Sequence, residues 1–175
     1  GGRGLVAELI AQQAAADVRQ LSFNMLAQGV GAEQLTQFIS ALNDALTRRV
    51  IQLNLENHNF DGIDWAWLAF GSEGRDEQTF STDQDNGIVF ATPEGMSADA
   101  LKQRFLAYAL DVNKDLDRCG FPLCKGNIMA GNPEWCLALE EWQACFSHWV
   151  QTPEPQALLN ATIFFDVRAI YGRSD

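Results

Sequence analysis

Two aspartates separated by one residue stand shortly before an apolar run and form the chain's most suggestive pattern for chemistry. Asp83 and Asp85 precede Ile88-Val89-Phe90-Ala91, a short run typical of a buried strand. Because side chains alternate across a strand and each residue rises about 3.3 Å, the two carboxylates are expected on one face, with Cα atoms about 6.6 Å apart. Paired carboxylates hold Mg²⁺ in sites that transfer phosphoryl or nucleotidyl groups. The pattern therefore predicts Asp83 and Asp85 as metal ligands, with Gln84 on the opposite face.

A Gly-Ser turn lies upstream of this pair. Gly71 and Ser72 follow the aromatic-rich run 65–70, which is predicted to be another buried strand. Such a turn offers backbone N–H groups, a hydroxyl and room for the close approach of a phosphate. Arg75 adds a fork-shaped donor. We therefore expect Gly71, Ser72 and Arg75 to bind the triphosphate of a nucleotide.

Other interpretations of these residues were weighed. Asp83 and Asp85 alone would be typical of a solvated acidic turn, and an isolated Arg75 would be typical of a surface ion pair. In a calcium-loop count, Asp83, Asp85 and Glu94 occupy positions one, three and twelve, but Ile88 stands where the loop requires glycine. No Gly-Lys-Ser/Thr follows Gly71, which excludes a Walker A loop.

Three segments together carry a family resemblance, namely "GSEGRDEQ…TDQDN", "GNIMAGNPEW" and "LLNATIFFDVRAIYG". From about Leu35 to Gly172 the chain resembles the polymerase-β-like nucleotidyltransferases. It is most similar to the nucleotidyltransferase domains of bacterial signalling proteins related to the PII-protein uridylyltransferase. The resemblance implies a mixed-sheet core, Mg²⁺ as cofactor, and transfer of a nucleoside monophosphate from a nucleoside triphosphate to an acceptor hydroxyl, with a protein side chain as one acceptor. It also implies cyclic-nucleotide-binding and CBS modules upstream in the full-length protein.

The resemblance also implies a third carboxylate on a later strand, often assigned to activating the acceptor. The expected third strand, 123–129, contains no acid. Asp166 is the best substitute and is predicted to be catalytic, because an unpaired carboxylate beside the apolar face of a helix is costly. An ion pair of Asp166 with Arg168 or another buried cation is the alternative. The missing acid motivates a second hypothesis, a regulatory module that binds nucleotide without turnover, and a helical interaction domain without a nucleotide site is a third.

The elements expected to position these residues follow from hydrophobic periodicity and end signals. Two helices, 5–27 and 32–56, should pair as an antiparallel hairpin. Further helices are expected after Ser97, after the Asn132-Pro133-Glu134 start signal, and after Pro155 as far as Gly172. With strands at 65–70, 88–91 and 123–129, the fold class is α+β, with a small mixed β-sheet, an N-terminal helical hairpin and C-terminal helices. The expected divisions are a hairpin at 1–57, a nucleotidyltransferase core at 58–152 and the start of a C-terminal helical region at 153–175.

The amino-acid composition of the chain limits the classes of partner that it is expected to bind. The 175 residues carry 23 acidic and 12 basic side chains, a net charge of −11 that disfavours binding to DNA or RNA. The four cysteines match no paired CxxC framework, and only two histidines are available for a metal site. No segment approaches the roughly twenty apolar residues that cross a bilayer. We expect a soluble, cytoplasmic protein that binds a nucleoside triphosphate and neither nucleic acid nor a membrane.

Overall fold

A four-stranded mixed sheet lies at the centre of the molecule, which a computed structural model describes over residues 2–71 and 83–172. Its strands are β1 (Trp65–Ala69), β2 (Asn86–Phe90), β3 (Cys136–Ala138) and β4 (Arg168–Gly172), in the spatial order β3-β2-β1-β4. β3 runs parallel to β2, whereas β1 is antiparallel to both β2 and β4. The strands at 65–70 and 88–91 and the α+β class with a small mixed sheet are thus confirmed.

The strand register brings three chain segments to one edge of the sheet. Ala69, the last residue of β1, pairs with Asn86 at the start of β2 and with Arg168 at the start of β4. The residues just after β1 therefore lie beside the residues that precede β2 and β4. This edge carries the candidate site.

Five α-helices surround the sheet in the described part of the chain: α1 (Gly2–Ala27), α2 (Ala32–Asn54), α3 (Ala98–Arg118), α4 (Leu139–Gln151) and α5 (Pro155–Phe165). The predicted N-cap of α3 is confirmed, since Ser97 Oγ accepts a hydrogen bond from Ala100 N at 3.3 Å. None of the described helices is long and apolar enough to cross a membrane.

The two faces of the sheet bury two separate clusters. Alternate residues of β1 and β2, among them Trp67 and Ile88, pack with α2 and α3 in the main core, which includes Ile51 and Phe105. The intervening residues face α4 and α5 in an aromatic cluster of Phe70, Trp135, Leu137 and Trp142. Burial on both faces explains why β1 and β2 are almost continuously apolar rather than alternating.

The predicted N-terminal helical hairpin is present as helices, because α1 packs against α2. Yet α1 leaves much of its apolar surface open, since Leu9, Leu21 and Leu26 are all exposed. The spacing therefore predicted the helix and its pairing with α2, while part of its apolar surface stays exposed.

Two predictions in the second half of the chain are wrong. Segment 123–129 is not a strand, because Asn127 has φ +57° and its N–H bonds to Cys124 O at 3.0 Å, which forms a tight turn. The start signal at Asn132 caps only a 3₁₀ turn (Pro133–Trp135), in which Asn132 Oδ1 accepts from Glu134 N. The chain then forms β3 before α4 begins at Leu139, because buried Cys136–Ala138 pairs with β2.

The last helix also ends earlier than predicted. α5 stops at Phe165, and residues 168–172 form β4 against β1 instead of continuing the helix to Gly172. Ile163, Val167 and Ile170 have helical spacing, but pairing along β1 buries Ile170 in the main core. Tertiary pairing here overrides a local pattern that was consistent with either structure.

Candidate active site

The carboxylate of Asp85 lies next to Gly71 at the sheet edge. Phe70 N donates a 2.9 Å hydrogen bond to Asp85 O, which fixes the two segments side by side. Gly71 has φ +58°, and a Cβ added there would lie 3.3 Å from Asp85 Oδ2. Glycine thus serves two purposes at this turn: it accepts a left-handed backbone and lets the carboxylate approach.

Asp83 lies close enough to Asp85 to affect the charge of the Asp85 carboxyl. Burial raises the pKa of the Asp85 carboxyl above its ordinary value, and the nearby Asp83 adds to the rise. A hydrogen bond from the Cys124 thiol, 3.3 Å from Asp85 Oδ1, partly opposes it. Burial also raises the pKa of Cys124 itself, so this thiol keeps the proton that it donates. Two neighbouring carboxylates, one exposed and one half-buried, form an acidic pair that a cation would stabilise.

The predicted alternation of side chains is also present. Gln84, between the two aspartates, is fully buried on the opposite face, where its Nε2 donates to Asn113 O at 2.9 Å and Phe121 O at 3.0 Å. Asn86 is buried on the same face as Gln84. Asp85 therefore lies on the same face of the sheet as Gly87. That face carries the Phe70 ring and Trp135 O, because both would lie within 3 Å of a Cβ added to Gly87.

A buried amide network anchors this strand to helix α3. Asn113 Nδ2 donates to Gln84 Oε1 at 2.9 Å and to Asn86 Oδ1 at 3.0 Å, while Asn113 Oδ1 accepts from Gly131 N at 2.9 Å. Asn86 Oδ1 also accepts from Ala130 N at 2.8 Å. Every member has hydrogen-bond partners, as a stable buried polar network requires. The network fixes both the aspartate-bearing segment and the neighbouring loop.

That loop, 122–131, runs alongside the aspartate segment. Gln84 N bonds to Pro122 O at 2.9 Å and Asn86 N bonds to Ile128 O at 3.1 Å. Cys124 joins the same two segments through its contact with Asp85. The loop therefore forms one wall of the site.

The donor set suits Mg²⁺. This ion prefers oxygen ligands and is commonly held by one or two carboxylates together with substrate phosphates and water. Asp83 and Asp85 supply such a pair, and Asp85 Oδ2 lies beside Gly71. Among the described residues, no group of three or more histidines, cysteines or acids is arranged to hold a metal. These residues therefore fit a site in which two carboxylates bind the ion and a phosphate completes its coordination.

Asp166 lies at the same edge of the sheet, although not on a helix as predicted. It directly follows α5 and stands two residues before Arg168, which pairs with Ala69 at the end of β1. Arg168, its expected ion-pair partner, donates to Asp44 Oδ1 at 2.8 Å. The half-buried carboxylate of Asp166 therefore precedes β4, whereas Asp85 precedes β2, and these two strands lie on opposite sides of β1.

Ser72 and Arg75 fall outside the described residues. Of the predicted site, the structure brings Gly71, Asp83 and Asp85 together and places Asp166 at the same edge. Asn86, Asn113 and Cys124 also belong to the surroundings of the site, although their sequence positions were not predicted to do so. The signal for Asn86 was available, because a polar residue two positions from Gln84 must share its buried face.

Comparison with known families then decides the classification. The model of the family described as "Putative nucleotidyltransferase DUF294" matches residues 16–156, which include the aspartate pair, its network and the adjoining loop. This chain belongs to that family. The match covers the first two of the three sequence segments and confirms that the chain carries a nucleotidyltransferase domain. A search of curated proteins found no match.

Proposed function

We propose that this chain is a Mg²⁺-dependent nucleotidyltransferase, which transfers a nucleoside monophosphate from a nucleoside triphosphate to an acceptor hydroxyl. The observation that carries the proposal is the position of the Asp85 carboxylate beside Gly71, where an added Cβ would lie 3.3 Å from Asp85 Oδ2. A cation ligand and a turn able to receive a phosphate are adjacent there, on a chain of the nucleotidyltransferase family. Neither feature alone would support the reaction.

Each residue of the site has a role in this proposal. Asp83 and Asp85 hold the cation, and Gly71 offers its backbone to the triphosphate. Ser72 and Arg75 follow Gly71 in the chain and contribute a hydroxyl and a guanidinium to the same phosphates. When bound there, Mg²⁺ would offset the charge that develops on the phosphate oxygens during transfer. The buried network of Gln84, Asn86 and Asn113 keeps the aspartates in place.

The reaction exchanges one phosphorus–oxygen bond for another. The acceptor hydroxyl oxygen forms a bond to the α-phosphorus, the bond from that phosphorus to the β-phosphate oxygen breaks, and pyrophosphate leaves. Asp166 takes the proton that the hydroxyl releases. Its position before β4, which pairs with the end of β1 two residues before Gly71, supports this role. A carboxylate within hydrogen-bond reach of the acceptor suffices for general base catalysis.

The biological setting belongs to the proposal as well. We infer a cytoplasmic bacterial signalling role, with a protein side chain as the acceptor and with cyclic-nucleotide-binding and CBS modules upstream in the full-length protein. Transfer of a uridylyl or an adenylyl group is consistent with the same site. The alternative of a regulatory module without turnover was motivated by the absence of an acid from 123–129. That segment is a loop, and Asp166 precedes β4 instead, which favours the enzyme over this alternative.

Titration calorimetry tests the binding half of the proposal. ATP, GTP, CTP and UTP are titrated into the protein with Mg²⁺ and again with EDTA. At least one nucleotide should bind only with Mg²⁺, and Asp83→Asn/Asp85→Asn should abolish that binding, because the amides lack the charge that holds the cation.

A matched control removes two carboxylates elsewhere. Asp61→Asn/Asp117→Asn changes the net charge equally at two exposed positions and should bind as the parent does. Equal binding by the parent and the Asp83/Asp85 variant would contradict the site. Pyrophosphate release with a hydroxyl acceptor then tests the transfer step.

A further inference from the structure

A groove of about 790 Å³ opens on the α4 and α5 side of the sheet. Its lining includes Trp135 and Trp149, the amides Gln156 and Asn160 on α5, and Gly126 and Ile128 of the loop that borders the candidate site. This volume is within the range of small-molecule sites, which are largely apolar with a few polar groups.

The groove adjoins the aspartate pair through the loop 122–131. Ile128 O accepts from Asn86 N, next to Asp85, and Cys124, two residues before Gly126, donates to the Asp85 carboxylate. Strand alternation also places Asp85 on the face of the sheet that carries Trp135. The groove and the carboxylates therefore share one loop and one face.

The chemistry of the lining suits a planar, uncharged ring better than a phosphate. The charged lining residues are Lys102 and Glu134, of opposite sign, and Lys102 lies 3.9 Å from Glu141. Trp149 is half-buried against Trp135, with ring centroids 5.8 Å apart, so part of its surface faces the groove. Aromatic side chains of this kind stack on nucleobases.

Two amides on α5 offer the hydrogen bonds that a base edge needs. Gln156 Nε2 donates to Asn160 Oδ1 at 3.0 Å, which holds the pair together one helical turn apart. Within the described chain, Gln156 Oε1 and Asn160 Nδ2 make no hydrogen bond. Each amide thus keeps one further polar group, an acceptor on Gln156 and a donor on Asn160, and the Watson–Crick edge of every base carries both donors and acceptors.

We propose that this groove is the nucleobase subsite, in which Trp149 stacks on the base of the nucleoside triphosphate while Gln156 and Asn160 bond to its edge. The inference rests on the proposed function, since it requires the triphosphate to lie at Gly71 and the aspartates. Specificity for the nucleotide would then reside in α4 and α5 rather than in the sheet.

Calorimetry with two ligands tests the subsite. A nucleoside triphosphate and inorganic tripolyphosphate, which has no base, are each titrated with Mg²⁺ into the parent, Gln156→Ala/Asn160→Ala and Trp149→Ala. The amide variant should weaken nucleotide binding about 5- to 150-fold, the effect of two hydrogen bonds. Trp149→Ala should weaken it by a similar factor of about 5 to 150 through lost stacking. Both variants should bind tripolyphosphate as the parent does.

Leu158→Ala is the matched control, because Leu158 is exposed on α5 and does not line the groove. It should leave both affinities unchanged. Unchanged nucleotide binding in the amide and Trp149 variants would overturn the subsite and leave the proposed function intact. Equal losses for nucleotide and tripolyphosphate would also overturn it, because the groove would then not distinguish a base. If neither ligand binds the parent, the proposed function itself fails.

Discussion

Replacing Asn113 by alanine should destabilise the protein strongly, because this one buried side chain joins three segments around the candidate site. Its amide makes two hydrogen bonds to the aspartate-bearing segment, through Gln84 and Asn86, and one to Gly131 of the adjoining loop. Only 4% of Asn113 is exposed, so water cannot replace these partners without opening the core.

The size of this loss of stability depends on which hydrogen bonds each partner of Asn113 keeps after the substitution. Gln84 Oε1 still accepts from Asn86 Nδ2 at 3.3 Å, and Asn86 Oδ1 still accepts from Ala130 N at 2.8 Å. Each of these two lost bonds therefore costs about 0.5–1.5 kcal/mol, whereas an unpaired Gly131 N–H costs about 1–3 kcal/mol. The free energy of unfolding should fall by about 2–6 kcal/mol in total, a large share of the roughly 5–15 kcal/mol typical of a domain.

Urea unfolding followed by tryptophan fluorescence measures this loss directly, since the chain has five tryptophans. The control is Lys114→Ala at the exposed neighbouring position on α3, which should change stability by less than about 0.5 kcal/mol. A Gln84→Ala/Asn113→Ala double-mutant cycle should give a coupling free energy of about 0.5–3 kcal/mol. If Asn113→Ala were as harmless as Lys114→Ala, or the two sites were additive, the buried network would not hold this edge together.

Three further predictions concern the glycine turn and the cysteines. Gly71→Ala and Gly62→Ala both force alanine into a left-handed backbone, so each should lower the free energy of unfolding by about 1–2 kcal/mol. Only Gly71→Ala also places a methyl group against Asp85. Calorimetry should therefore find weaker Mg²⁺-nucleotide binding for Gly71→Ala but not for Gly62→Ala. Thiol labelling of the folded protein, followed by mass spectrometry, should modify the partly exposed Cys124 and Cys145 before the buried Cys119 and Cys136; early modification of Cys136 would contradict the packing of β3. Burial raises the pKa of Cys136 to about 12, from 9.0 in the unfolded chain, so the folded state keeps the proton longer and the free energy of unfolding should fall as pH rises from 9 towards 12. Cys136→Ala should flatten that alkaline slope in urea unfolding, and an unchanged slope would show that other groups cause it.

The first half of the chain was predictable because its local patterns agree with its tertiary contacts. The runs 65–70 and 88–91 are short and apolar, and the structure buries both faces of β1 and β2. The alternation of Asp83, Gln84 and Asp85 was also predictable, since side-chain direction along an extended segment follows from the backbone alone.

The second half was less predictable because its elements depend on distant partners. β3 is three residues long, and only its parallel pairing with β2 makes it a strand. β4 lies in a sequence with helical periodicity, and its strand state depends on β1, about a hundred residues earlier in the chain. The role of Asn113 likewise requires Gln84, Asn86 and Gly131 to meet in space, and no local signal on α3 indicates this.

The central claim, that Asp83 and Asp85 hold a divalent cation beside a triphosphate, is most directly tested with Mn²⁺, which accepts the same oxygen ligands as Mg²⁺. Electron paramagnetic resonance follows the sharp signal of free Mn²⁺ while protein is added in the presence of tripolyphosphate. We predict that the parent removes more of this signal than tripolyphosphate alone does, and that Asp83→Asn/Asp85→Asn removes no more than tripolyphosphate does. An equal loss of signal with the parent and the variant would contradict the assignment of these two carboxylates.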